Sequence, residues 1–167
     1  MAKPGRPNKS DPRVDNLLYD IRDGNNESVK NILSEVGIDA LDGYQRTSLI
    51  WASFYNNAEL LQWLIDNGAN INHQDRNGFS ALHFAVNEQR FEAAEILINC
   101  KIDLEIKDNN GNTPLMDAIF NSKGEYKIVT FLVKAGANPD NINNHEMTPR
   151  LLADTMAGFA YSLPIAK

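Results

Sequence analysis

Apolar residues recur along this chain in paired short bursts separated by polar turns. Val14, Leu17, Leu18 and Ile21 fall at three- and four-residue steps, and after Gly24 the same spacing resumes at Val29, Ile32 and Leu33. Farther on come Leu82, Ala85 and Val86, then Ala93, Ala94, Ile96, Leu97 and Ile98. This is the helical period, and each burst is brief, so the pattern predicts pairs of short amphipathic helices. Thr47, Ser80, Thr113 and Thr148 each stand as an N-cap before such a burst, and Asp11 does the same before the first. Pro12, Pro114 and Pro149 follow directly, at the first helical position, where a missing N–H costs nothing. No single pair can enclose a core, whereas stacked neighbouring pairs supply the missing surface.

The bursts belong to a repeat. Asp42 to Ala52, Asp75 to Ala85 and Asp108 to Ala118 are versions of one stretch at 33-residue spacing, and Asn143 to Ala153 is a degraded copy 35 residues later. Each is followed by a second conserved-in-pattern half: Leu60, Leu61, Trp63, Leu64 and Ile65 lead to Gly68-Ala69-Asn70, and Ile128, Val129, Phe131, Leu132 and Val133 lead to Gly136-Ala137-Asn138. In the third unit Lys101 replaces the glycine.

These units resemble ankyrin repeats, whose signature is Asp-x-x-Gly-x-Thr-Pro-Leu-His-x-Ala, then a helical Val-x-x-Leu-Leu, then Gly-Ala-Asp/Asn. The resemblance covers about residues 13 to 156. It implies an all-α solenoid of stacked helix-turn-helix units joined by β-hairpin loops, with about five repeats including caps. The divisions expected are a flexible basic tail over 1–12 and a repeat domain over 13–167, with repeats near 13–41, 42–74, 75–107, 108–142 and 143–167. The polar outer face of the first helix (Asp15, Asn16, Asp20, Arg22, Asp23) suits a cap facing water. The stretch Asn121-Ser-Lys-Gly-Glu125 lengthens the turn in the fourth repeat, and the residues after Ala153 are expected to cover the end of the stack, with a break near Pro164. In the family the positions of Gly78 and Gly111 take a left-handed backbone. Gln45 and Glu146 stand there in the outer repeats at a cost on the order of 1 kcal/mol, so those hairpins should be less regular or more mobile.

Composition narrows the reading. A chain of 167 residues that is 43% hydrophobic can form one domain with a continuous core. No run approaches the roughly 18 apolar residues of a membrane span, and no apolar segment follows the first charges, so neither a span nor a signal peptide is expected. A cytoplasmic protein is the expectation, and the single Cys100, which cannot pair within the chain, agrees with a reducing compartment. Net charge is −6. Lys3, Arg6, Lys9 and Arg13 against Asp11 give the first thirteen residues +3, leaving −9 for the rest. Such a body repels phosphate backbones, so nucleic acid could bind only through the tail. There Gly5-Arg6-Pro7 is similar to a minor-groove hook but lacks the arginine that normally precedes the glycine.

Catalytic and metal-binding patterns are missing: there is no His-Glu-x-x-His, Cys-x-x-Cys, Gly-x-Ser-x-Gly or phosphate-cradling Gly-Lys motif. His83 stands at the repeat's signature histidine, which the resemblance assigns to hydrogen bonding between hairpins. Ile50, Met116 and Leu151 fill that slot elsewhere, which makes it a packing position. Asp42, Asp75 and Asp108 recur with the repeat and read as hairpin-forming residues rather than an acid/base pair. No catalytic residue, metal or cofactor is expected.

Binding is therefore the expected role, and the family's concave face implies where. Hairpin-tip and inner-helix positions that packing leaves variable are Tyr44, Arg46, Phe54, Tyr55, Arg76, Asn77, Phe79, Asn87, Glu88, Asn109, Asn110, Asn112, Phe120, Asn121 and His145. Aromatics beside arginines are the types enriched at interface hot spots, so Tyr44, Arg46, Tyr55, Arg76 and Phe79 are expected to carry most affinity, with Glu88, Asn110 and Phe120 adjoining. Phe54 and Phe120 have two open readings, packed between helices or offered to a partner. Trp51, Trp63, Phe84 and Phe131 occupy core slots. The function expected is non-catalytic protein–protein binding by a chain that is monomeric alone, as an adaptor or scaffold for a partner of basic or mixed charge. An alternative is an inhibitor or immunity protein occluding a basic enzyme such as a secreted toxin. A second alternative is a DNA-associated factor acting through the tail.

Overall fold

A computed structural model describes residues 11–156, so the basic tail up to Ser10, with its Gly5-Arg6-Pro7, and the segment from Ala157 lie outside the described residues, as does the expected break at Pro164. Nine helices form among the described residues: α1 Pro12–Asp23, α2 Asn26–Val36, α3 Ser48–Tyr55, α4 Ala58–Asp66, α5 Ala81–Asn87, α6 Phe91–Asn99, α7 Pro114–Phe120, α8 Lys127–Ala135 and α9 Pro149–Thr155. The fold is an all-α repeat solenoid. Helix α1 starts at Pro12 with Asp11 as its cap, Oδ1 accepting the Arg13 N–H, so the folded body begins before residue 13. Arg13 then pairs with Asp11 and Glu35 and is part of that body rather than of the tail.

The caps act where the side chains allow. Thr47, Ser80, Thr113 and Thr148 each accept the N–H three residues on. Pro114 and Pro149 open α7 and α9. Gly24 closes α1 at φ 78° and Gly136 closes α8 at φ 102°. Lys101 adopts the left-handed φ of 65° that the missing glycine would have taken. Helices α1, α3, α5, α7 and α9 touch in sequence to form an inner layer, and α4, α6 and α8 form an outer one. Between the layers runs one core that includes Leu17, Leu49, Leu61, Leu82, Leu97, Leu115 and Leu132, each 1% exposed or less. Trp51, Trp63, Phe84 and Phe131 are half-buried against it rather than fully enclosed.

Each hairpin turn is tied by one side chain. Asp42 Oδ1 accepts the N–H groups of Tyr44 and Arg46 at 2.7 and 2.9 Å. Asp75 does the same for Asn77 and Phe79, and Asp108 for Asn110 and Asn112. Asn143 repeats it in the last hairpin with His145 and Met147, both at 2.9 Å. The expected irregularity of the outer hairpins is therefore not found. Gln45 and Glu146 simply adopt φ of 61° and 60°, because the Asx network over-determines the turn. Leu151, expected to pack like Ile50 and Met116, is instead 45% exposed, because it lies on the last described helix, which has a repeat packed on one side of it only among the described residues.

Successive hairpins approach closely through backbone ladders. The N–H of Arg76 donates to Tyr44 O at 3.3 Å, that of Asn109 to Asn77 O at 3.0 Å, and that of Asn144 to Asn110 O at 2.9 Å. A Cβ on Gly111 would lie 2.6 Å from Asn144 Oδ1 and 2.8 Å from its nitrogen. Gly136 has a positive φ too, but nothing within 4 Å of an added Cβ. Gly111→Ala is expected to cost about 3 kcal/mol, conformational strain plus overpacking, and Gly136→Ala only about 1 kcal/mol. Urea denaturation of the two variants checks this, and equal losses would show that hairpin spacing contributes nothing.

Candidate functional site

The tip and inner-helix residues separate into three groups once placed. The first is spent on stacking the repeats. Arg76 donates through Nη2 to Gly43 O, Asn109 through Nδ2 to Arg76 O, and Asn144 through Nδ2 to Asn109 O. The residue after the turn aspartate or asparagine thus reaches back to the preceding hairpin in three consecutive units. Asn77 supplies the carbonyl for the Asn109 N–H, and Asn112 accepts from Asn143 Nδ2 at 2.7 Å. His83 belongs here as well. Its Nε2 donates to Asn112 O at 3.2 Å, which makes Nδ1 the acceptor for the Ser80 N–H and hydroxyl. Burial holds its pKa below 6.5. His73 bonds to Gln45 O in the same structural manner.

The second group forms an internal aromatic cage. The Arg46 guanidinium lies 5.1, 4.8 and 4.9 Å from the ring centres of Tyr44, Trp51 and Phe84, and its Nε donates to Asp75 Oδ2 at 3.2 Å. That carboxylate is fully buried and the arginine only 19% exposed. Arg76 also lies over Tyr44, 4.5 Å from its ring centre. Tyr55 stacks on Trp51, and Phe54 makes T-shaped contacts with the rings of Trp51, Tyr55 and Phe84. Tyr44 remains 56% exposed. A cation among three rings with a buried counter-ion is held mainly by its own chain.

The third group lines a groove of about 690 Å³ running over repeats three to five. Its walls include Phe79, Asn87, Glu88, Asn110, Asn112, Phe120, Asn121 and His145, together with Met116, Met147 and Leu152. Phe120, at the end of α7, is 68% exposed and is not packed between helices. Within the groove Asn121 Nδ2 donates to Asn87 Oδ1 at 2.8 Å, and Asn87 Nδ2 donates to Asp117 Oδ2 at 3.2 Å.

Asp117 escaped the sequence reading. It stands in the slot that Trp51 and Phe84 fill in the preceding repeats. An acid in an aromatic slot was the available signal. The shorter side chain leaves open the volume that a ring would take. It is buried, and its pKa rises to about 7, first through desolvation and then through the nearby Asp108, with the Asn87 bond opposing. Among the described residues, no lysine or arginine lines this groove, no group of three potential metal ligands occurs, and no helix is long and apolar enough to cross a membrane.

Stacked helix pairs with asparagine- and aspartate-tied hairpins and a groove across the inner layer define a helical-repeat binding scaffold. The family described as ankyrin repeats (three copies) matches residues 17–108 and 49–145, and the chain belongs to it. It is similar to the E3 ubiquitin-protein ligase Ufd4 of Drosophila melanogaster, 32% identical over 116 residues, which is 68% of this chain and 4% of that protein. It is also similar to the human transient receptor potential cation channel subfamily A member 1, 30% identical over 131 residues, 76% of this chain and 12% of the channel subunit. The neurogenic locus notch homolog protein 1 of Danio rerio is 34% identical over 103 residues, 60% of this chain and 4% of that protein. The chain thus spans about an eighth or less of these relatives. Ankyrin repeats generally mediate protein–protein interaction, and the family is generally non-enzymatic.

The two perturbed buried groups give opposite pH slopes. His83, neutral when folded, contributes stability above 6.5 that is lost as pH falls below it. Asp117 is protonated when folded at a pH where the unfolded chain is ionised, so its contribution is present below 3.8 and lost as pH rises through about 7. Asp117→Asn should leave stability unchanged near pH 4 and raise it by about 2 kcal/mol or more at pH 8. Chemical denaturation at the two pH values measures this, and a pH-independent difference would exclude titration of Asp117.

Proposed function

We propose that this chain is a non-catalytic protein-binding module that holds one partner protein against its hairpin tips and inner helices, acting as an adaptor or scaffold. The observation that carries the reading is Phe120, a large apolar side chain left 68% exposed on a groove of about 690 Å³. Exposed aromatics bordered by amides are the pattern of interface anchors, where a few residues carry most of the affinity. Tyr44, Phe79, Glu88, Asn110, Phe120 and His145 are the contact residues this reading favours. Arg46, Tyr55, Phe54, Arg76, Asn77, Asn87, Asn109, Asn112 and Asn121 support them from fixed positions. An interface of ordinary size, about 800 Å² per partner, fits a face of this length.

A second reading, a dedicated inhibitor that occludes a basic enzyme, draws on the acid lining of the groove, where Glu88, Asp108 and Asp117 meet no described lysine or arginine. One experiment addresses both. The tagged chain and two variants, Phe79→Ala with Phe120→Ala and the outer-helix control Glu95→Ala, are used to capture proteins from the native extract. The wild type and Glu95→Ala should retain a partner in one-to-one amount, and the double variant should bind it about 30-fold more weakly, close to 2 kcal/mol. Equal retention by all three moves the site off the groove. Loss of the partner's own activity at one-to-one ratio selects inhibition, and unchanged activity selects the adaptor role.

A further inference from the structure

The groove over repeats three to five contains a carboxylate with an unfilled electrostatic requirement. Among the described residues, Asp117 Oδ2 receives a single hydrogen bond, from the Asn87 amide, and Oδ1 receives none. Oδ1 is not sealed away, since among the described residues only Ser48 Oγ is both unbonded and cut off from solvent. Buried carboxylates are ordinarily paired with a cation or several donors. The groups around Asp117 provide neither. From the end of α5 comes Asn87 and just after it Glu88, from the turn before α7 comes Asp108, and from the last hairpin come Asn143 and His145. Asp108 spends its oxygens on Asn110 and Asn112. Phe120 lies three residues beyond Asp117 on α7, on the same side of the helix, so an apolar surface borders the acid.

We propose that this groove receives a lysine or arginine side chain from the partner protein, with its charged head at Asp117 and its aliphatic stem along Phe120. The proposal rests on the groove-binding reading above and specifies the partner's chemistry. Long basic side chains suit such a site because they bury methylenes against apolar surface while delivering a charge at the tip. The acid is already desolvated by the fold, so a cation arriving there gains more than it would at an exposed carboxylate. The floor is short of volume-filling atoms because an aspartate stands where Trp51 and Phe84 stand in the earlier repeats.

The test uses four labelled eight-residue peptides, identical in a leucine-rich frame and differing at one central position: lysine, arginine, glutamine or glutamate. Binding to the whole chain at pH 8 is followed by fluorescence polarisation and by NMR shifts of the Phe120 ring. The lysine and arginine peptides should bind at least tenfold more tightly than the glutamine peptide and move the Phe120 signals. Asp117→Asn should abolish that preference, whereas the exposed control Asp66→Asn on α4 should retain it. A preference that survives Asp117→Asn, one lost equally in Asp66→Asn, or absence of binding by every peptide at millimolar concentration overturns the proposal. Self-association that disappears when residues 1–10 are deleted also overturns it, because the groove would then take the basic tail of another copy. The captured partner distinguishes the two levels: binding lost in the Phe79/Phe120 double variant but kept in Asp117→Asn leaves the groove as the site and removes only the cation.

Discussion

Everything in this molecule is referenced to one short side chain per hairpin. An aspartate or asparagine oxygen that accepts two backbone N–H groups, two and four residues ahead, closes the turn without help from a β-ladder. Only one isolated bridge, Gln74 with Ser80, occurs among the described residues, so the Asx bonds act together with the short main-chain bonds across each turn, such as Asp42 N–H to Arg46 O at 3.0 Å, rather than with extended strands. The closed turn sets where the N-cap of the next inner helix stands. That helix in turn places its apolar face against the neighbouring repeat. A residue with a Cβ in the left-handed position, such as Gln45, is held there because its alternatives would open two hydrogen bonds at once.

The same constraint explains why polar hairpin tips are poorer binding candidates than their exposure suggests. A turn with fixed geometry presents its free carbonyls to the next turn at hydrogen-bonding distance. The residue following the turn aspartate or asparagine then reaches back across the gap, as Arg76, Asn109 and Asn144 do. Arg46 is drawn inward for a different reason: Asp75, fully buried, needs a cation, and three rings around the guanidinium repay its desolvation. Variability between repeats therefore marks positions free of core packing, which is a weaker condition than freedom to meet a partner.

The fold was legible because its determinants are local and repeated. N-cap hydroxyls, prolines at first helical positions, the helical apolar period and the turn carboxylates can each be read from a few consecutive residues. The site was less legible because it depends on relations between repeats. Phe54 and Phe120 occupy related helix positions and resolve oppositely. Phe54 finds three aromatic neighbours in its own and the next repeat, while Phe120 has no ring beside it among the described residues. Comparing slots for polar replacement, as well as for apolar recurrence, would have pointed to Asp117. Tip residues such as Asn109 gave no signal, since an asparagine spent on the preceding turn and one offered to solvent are written with the same letter.

The replacement at Asp117 also shows how a stack of near-identical units acquires a site without changing its scaffold. Trp51 and Phe84 fill the inner layer of repeats two and three, and their rings support the cage around Arg46. One repeat later the same slot holds an acid, and three consequences follow from that substitution alone. Volume is released beside α7, an ionisable group is desolvated, and Phe120 loses the aromatic partner that its counterpart Phe54 finds in Trp51 of its own repeat. Core packing elsewhere is untouched, because Leu115 and Ile119 still face the interior. A repeat protein can tolerate such a change since each unit contacts only its neighbours, and the loss is confined to one interface. The destabilising carboxylate is thus the feature of the inner layer that packing does not account for, and its retention beside an exposed ring is what binding would account for.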